Sequence, residues 1–120
     1  LLWKTAQADA PTVEIIKIYP EHITEEKEYA YDKVLQEWSV EEWKHFDDLI
    51  QRESSWYNLA QNPISTAFGY GQFLNSTWKL VGCEKTTDKN TQIDCTIKYI
   101  KAVYGTPRQA IIFHNANNHY

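Results

Sequence analysis

The chain has 120 residues, the length of one domain, and 42% of them are hydrophobic, enough to bury a core. Its net charge of −4 comes without a basic cluster, so nucleic acid is not an expected partner. No apolar run approaches the roughly 20 residues of a membrane span, and no signal peptide is visible. Leu1 opens a sequence without any Met, which leads us to expect a mature fragment or a piece of something longer. Aromatic residues reach 14%, with five Trp and eight Tyr. Flat rings at that density suit a carbohydrate cleft and an ordinary small core equally well.

Residues 1–22 read as an N-terminal tail or linker, and residues 23–120 as the folded domain. Ala8-Asp9-Ala10-Pro11 has linker composition, and Val13 to Tyr19 reads as a short extended run closed by Pro20. Thr24 is placed to cap a helix running to about Trp38, with Glu25 and Glu26 in its first turn. Ser39-Val40-Glu41-Glu42 matches a capping box for a second helix to about Ser55. Trp43, Phe46, Leu49 and Ile50 give that helix a buried stripe. Residues 58–75 are loop-rich, with Asn62-Pro63, Ser65, Gly69 and Gly71. Ser76 is expected to cap a short helix through Val81, ended by Gly82. Residues 84–90 read as a polar loop. Thr91 opens a helix striped by Ile93, Ile97, Ile100 and Tyr104 and stopped by Gly105. Pro107 suits the first turn of a last helix, with Ala110, Ile111 and Phe113 inward. The expected fold class is all-α.

The two cysteines, Cys83 and Cys95, would close a short loop if bonded. Such a bridge constrains the unfolded chain by roughly 3 kcal/mol and implies an oxidising compartment. Two reduced, buried thiols are the alternative. Neither cysteine has partners at zinc-site spacing, and no metal or cofactor is expected.

Glu53 is the main candidate for chemistry. It follows Phe46 and Ile50 at helical offsets, which places it on the buried stripe of its own helix. Burial there favours the neutral acid, and the negative end of the helix dipole acts in the same direction. Both effects make a proton donor usable near neutral pH. The plainer reading is a helix-end Glu that reaches solvent or pairs with Arg52 or Lys79. Beyond it, Phe68-Gly69-Tyr70-Gly71-Gln72-Phe73 is a turn whose glycines allow close backbone approach. Its Gln72 offers both a donor and an acceptor to a sugar hydroxyl or acetamido group.

Glu53-Ser54, Ala60, Ser65, Gly69 to Gln72 and Thr77, taken in order, resemble the signature of the soluble lytic transglycosylase domain, a relative of goose-type lysozyme. Tyr99-Ile100 is similar to that family's Tyr-Leu. Phe113-His114-Asn115-Ala116-Asn117 is similar to its closing Ala-Tyr-Asn-Ala-Gly. The resemblance covers roughly residues 40–120. It departs from the family at Tyr70 and Gly71, where Leu and Met are usual, and at Phe73. It departs again at His114, which stands where the family has Tyr, and at Asn117, which stands where it has Gly. The hypothesis drawn from this is that His114 takes the place of that Tyr and alters the dependence of activity on pH. An unchanged pH–rate profile in His114→Phe would remove it.

The resemblance implies a lysozyme-like domain acting on peptidoglycan glycan strands with a single Glu. Glu53 would protonate the oxygen between N-acetylmuramic acid and N-acetylglucosamine. It would then accept the proton of the muramic C6 hydroxyl as that group attacks C1, giving a 1,6-anhydro end. An intramolecular nucleophile needs no enzyme nucleophile. This fits a sequence in which Asp47, Asp48, Asp88 and Asp94 read as solvated charges rather than as the second carboxylate of a hydrolase. Ser65, Gln72, Tyr99 and Asn115 would orient the glycan, and Tyr70, Phe68 and Phe73 would form the cleft wall. His114 and His119 fall about 140° apart on an ideal helix, so they would share a ligand only if the helix unwound.

The rival readings are a goose-type lysozyme that uses water, a glycan-binding or virion structural module without turnover, and an interaction domain unrelated to sugars. The expected setting is the periplasm, cell envelope or extracellular space, as part of a larger envelope or phage virion protein.

Overall fold

The computed structural model describes residues 16–119 of the chain. They are all-α. The helices are α1 (Glu28–Glu37), α2 (Val40–Ser54), α3 (Asn75–Leu80), α4 (Lys89–Val103) and α5 (Pro107–Asn117). Among the described residues no sheet forms, and isolated bridges join only Gln61 to Phe68 and Phe68 to Phe73.

The amphipathic stripe of α2 organises the packing. Trp43, Phe46, Leu49 and Ile50 are all buried, each contributing about 1.5–3 kcal/mol. α2 packs against both α1 and α5, and α1 also reaches α4. Ala30 and Val34 of α1, Ile93, Ile97 and Ile100 of α4, and Ala110 and Ile111 of α5 complete one core. A smaller cluster of Phe73, Trp78 and Val81 gathers around Cys95. Cys83 and Cys95 form a disulfide there, with Cα atoms 6.4 Å apart. The bridge therefore ties the end of α3 to the middle of α4.

Several boundaries differ from the sequence expectation. The helix expected from Thr24 begins as a 3-10 turn, Glu25–Lys27, and the Thr24 side chain makes no cap bond. The Ser39 capping box does not form. Its Glu42 carboxylate instead accepts the Arg108 N–H of α5 at 2.9 Å, because the first amides of any helix lack intrahelical partners. Ser76 lies inside α3 rather than capping it. α4 starts ahead of Thr91 because Asp88 caps it, accepting the Thr91 N–H at 2.9 Å. Phe113, expected inside, is 37% exposed and leans on Tyr104 and His119.

Residues 16–20 have no regular structure. Lys17 and Tyr19 both donate to Asp32 at 2.9 Å, and Tyr19 rests edge-on against Tyr31. The described end of the expected tail thus lies along α1. The expected linker at Ala8 to Pro11 and the first residues of the extended run lie outside the described residues, as does residue 120.

Candidate active site

Glu53 occupies the last turn of α2, in register with Phe46 and Ile50, as the helical period dictates. Its side chain is 15% exposed. Burial alone pushes its carboxyl up to about 7. Neither expected cation pairs with it. Arg52 turns to Asp48 instead, with Nη2 2.9 Å from Oδ2. The neighbour of Glu53 is His114 of α5, whose Nε2 lies 3.1 Å from Oε1. Burial holds the His114 imidazole below its usual value, and the Arg52 guanidinium acts in the same sense. An ion pair between the two would pull both values the other way. In this half-buried place the cost of desolvating two charges prevails.

Glu53 faces a cavity of about 360 Å³ that is also lined by Asn62, Ala67, Gln72, Leu74, Asn118 and His119. Among the described residues, no other carboxylate lines it. The turn carrying Gln72 is built around a buried amide that the sequence reading missed. Gln92 of α4 accepts the Tyr70 N–H at 2.8 Å and donates to the carbonyls of Asn58 at 2.9 Å and Thr86 at 2.8 Å. This one side chain therefore fixes three loop segments. Gly69 is required beside it. Its φ is +83°, and a Cβ there would sit 2.8 Å from the Gln92 oxygen.

Gln72 lines the cavity, with part of its amide already engaged. Its Nε2 donates to the carbonyls of Ala60 and Gly69, both at 3.0 Å. With the amide nitrogen holding the loop, what it offers a ligand is the acceptor Oε1.

Tyr70 departs from its expected place in a cleft wall. It is 1% exposed, stacks edge-on against Trp56 and donates to Glu26 at 2.5 Å. Phe73 is buried as well, against Trp78 and Tyr99. Phe68 remains half-buried, under the Lys85 ammonium.

Ser65 is exposed and outside the cavity lining; its hydroxyl accepts the Ala67 N–H at 3.2 Å. Asn115 also lies outside the lining, and its Oδ1 accepts from Arg52 at 2.6 Å. Tyr99 packs against Tyr104. Burial raises the Tyr104 phenol far above its usual value, with further contributions from its Tyr99 hydrogen bond and the Glu53 charge. Neither tyrosine lines the cavity beside Glu53.

The four aspartates have structural partners. Asp47, expected to be solvated, accepts from Lys27 at 2.9 Å and from the Trp56 indole at 2.8 Å. Asp94 accepts from the Tyr29 hydroxyl at 2.7 Å. With Asp48 on Arg52 and Asp88 capping α4, all four are engaged away from Glu53. His119 joins the cavity because α5 ends at Asn117 and Asn118 turns left-handed, with φ 58°. Asn is among the few residues that adopt this conformation readily, and that was the one signal for it in the sequence. No group of His, Cys, Asp and Glu that could hold a metal occurs among the described residues. No family model, curated protein or solved structure matches the chain.

Proposed function

We propose that this protein is a lytic transglycosylase that cleaves the bond between N-acetylmuramic acid and N-acetylglucosamine in peptidoglycan. The observation that carries the reading is a single half-buried acid, Glu53, with its carboxyl at about 7, facing a polar cavity without a second carboxylate in its lining. Such an acid is half protonated near neutral pH, so it can donate to a leaving oxygen and then accept a proton in the same turnover. The order of the motifs from Glu53 to Asn117 supports the lysozyme-like assignment. The muramic C6 hydroxyl supplies the nucleophile, which leaves Glu53 as the only protein group that must exchange a proton. His114, whose ring contacts Glu53, would take the place of the family's Tyr. The Oε1 of Gln72 and the side chains of Asn62 and Asn118 are the groups that would hold the sugar.

The disulfide is consistent with an oxidising compartment such as the periplasm or the extracellular space. No described helix is long and apolar enough to cross a membrane.

The test is a mass spectrum of the fragments released from purified peptidoglycan by wild type and by Glu53→Gln. Anhydro-muropeptides from wild type alone support the proposal. Fragments with free reducing ends would move the assignment to a lysozyme-type hydrolase. No fragments from folded protein on a susceptible wall would favour a binding module. The acid form is the active one, so cleavage should decline as pH rises through about 7.

A further inference from the structure

The side chains around His114 form a chain of contacts that the reaction above does not require. Arg52 and Glu53 are neighbours on α2, so their side chains leave the helix about 100° apart. His114 lies between them. Arg52 Nη1 is 3.5 Å from Nδ1 of the ring, and Glu53 Oε1 is 3.1 Å from Nε2. The guanidinium is itself held in place. Its Nε donates to Asp48 Oδ1 at 3.1 Å, its Nη2 lies 2.9 Å from Asp48 Oδ2, and its Nη1 donates to Asn115 Oδ1 at 2.6 Å.

We propose that Arg52 is a positioning residue that fixes the tautomer of His114 and through it the orientation of the Glu53 carboxyl. A guanidinium carries only donors and does not give up its proton. The imidazole nitrogen facing it must therefore present a lone pair, since an N–H there would point at a cation. That leaves the ring hydrogen on Nε2, directed at Glu53 Oε1. While Glu53 is protonated, Oε1 accepts from the imidazole, and the acidic proton is left on Oε2. When Glu53 is ionised, the same N–H stabilises the carboxylate. His114 thus serves both states of the acid without changing its own proton count.

The charge of Arg52 has a second effect. A protonated His114 would form an ion pair with Glu53 and strip the acid of its proton. The groups facing His114 from α2 are Asp48, Arg52 and Glu53, with His119 just past the end of α5; Tyr104, just after α4, feels the Glu53 charge. Arg52 and His119 oppose a charge on the ring, and Asp48 favours one. Asp48 is also bound to Arg52, so its negative charge is largely compensated at the ring. The role in proton transfer rests on the reading of Glu53 as the acid, whereas the tautomer does not.

The experiment is a pH titration of 15N-histidine-labelled protein, with long-range proton–nitrogen spectra, on wild type, Arg52→Met and Arg52→Lys. Wild-type His114 should be the Nε2–H tautomer and titrate below the usual imidazole value. In Arg52→Met its midpoint should rise, because the opposing cation is gone, with a smaller rise in Arg52→Lys, which keeps the charge but loses the fork. A wild-type ring protonated on Nδ1 in its neutral form would overturn the proposal even if Arg52→Met failed to fold. So would an unchanged midpoint in a folded Arg52→Met. On peptidoglycan, Arg52→Met should shift the alkaline loss of cleavage to lower pH. If the spectra behave as expected and no variant or wild type releases fragments, the cleavage reading fails and the Arg52 assignment stands.

Discussion

Glu53→Gln tests the burial of the carboxyl without reference to any substrate. The group moves from 4.5 to about 7 in the folded protein, which for a fully desolvated acid corresponds to about 3 kcal/mol. The side chain retains 15% exposure, and solvent screening reduces the figure to on the order of 1.5 kcal/mol. The folded pKa lies above the unfolded one, so the folded state binds the proton more tightly. Stability is then fully present below about 4.5, declines as pH rises from 4.5 to about 7, and levels off above. Gln has no proton to lose. The variant should match wild type near pH ~4 and exceed it by about 1.5 kcal/mol near pH ~8, or about 6 °C in Tm for a domain of this size. Urea unfolding at both pH values measures the difference. A Gln variant that is no more stable than wild type at the higher pH would refute the desolvation reasoning. So would a gap of equal size at both.

Gly69→Ala should cost about 1–3 kcal/mol of stability, read as a lower urea midpoint, because its Cβ would displace the Gln92 amide and φ is +83°. Gln92→Leu should cost about 3 kcal/mol by leaving the Tyr70 amide and two loop carbonyls unpaired. Hydrogen exchange at Tyr70 should accelerate in that variant while the middle of α4 stays protected. Replacing Cys83 and Cys95 together by Ser should remove roughly 3 kcal/mol, read as a lower Tm that added reductant does not lower further.

The helices were legible because their periodicity is strong. The stripes of α2 and α4 and the Gly105-Thr106-Pro107 junction all appear where those patterns place them. The position of Glu53 followed from the same period. Less could be read where a partner lies far away in the sequence. Glu42 meets its capping-box pattern locally, yet Arg108, distant in the chain, offers a better donor. Gln92 reads as one more polar residue on α4 until the fold brings three loop segments to it. Tyr70 carries the Gly-X-Gly signal of a ligand loop, but nothing local says that its ring turns inward. The disulfide stood as an open choice, since spacing alone does not bring two sulfurs together.

The end of α2 shows how the packing produces the half-burial of Glu53. Ser55 and Trp56 both take left-handed conformations, with φ of 51° and 56°, at a cost of about 1–2 kcal/mol each for residues with a Cβ. The sequence Ser54-Ser55-Trp56 has no Gly or Asn to advertise such a turn. What holds it is the indole of Trp56. The ring packs against Trp43, Phe46 and Tyr70. Its N–H donates to Asp47 at 2.8 Å, and the Lys27 ammonium that pairs with Asp47 also lies 5.1 Å from the ring centroid. Burying a large side chain contributes about 3 kcal/mol, and the bond to a charged carboxylate adds about 1.5 kcal/mol or more. Together these offset the strain. The chain therefore reverses immediately after Glu53, and Ala60 comes to accept from both Gly69 and Gln72. A glycine at position 55 would relieve the backbone but would not aim the loop. The anchored indole does that, and so the core of the domain determines how much water reaches the acid.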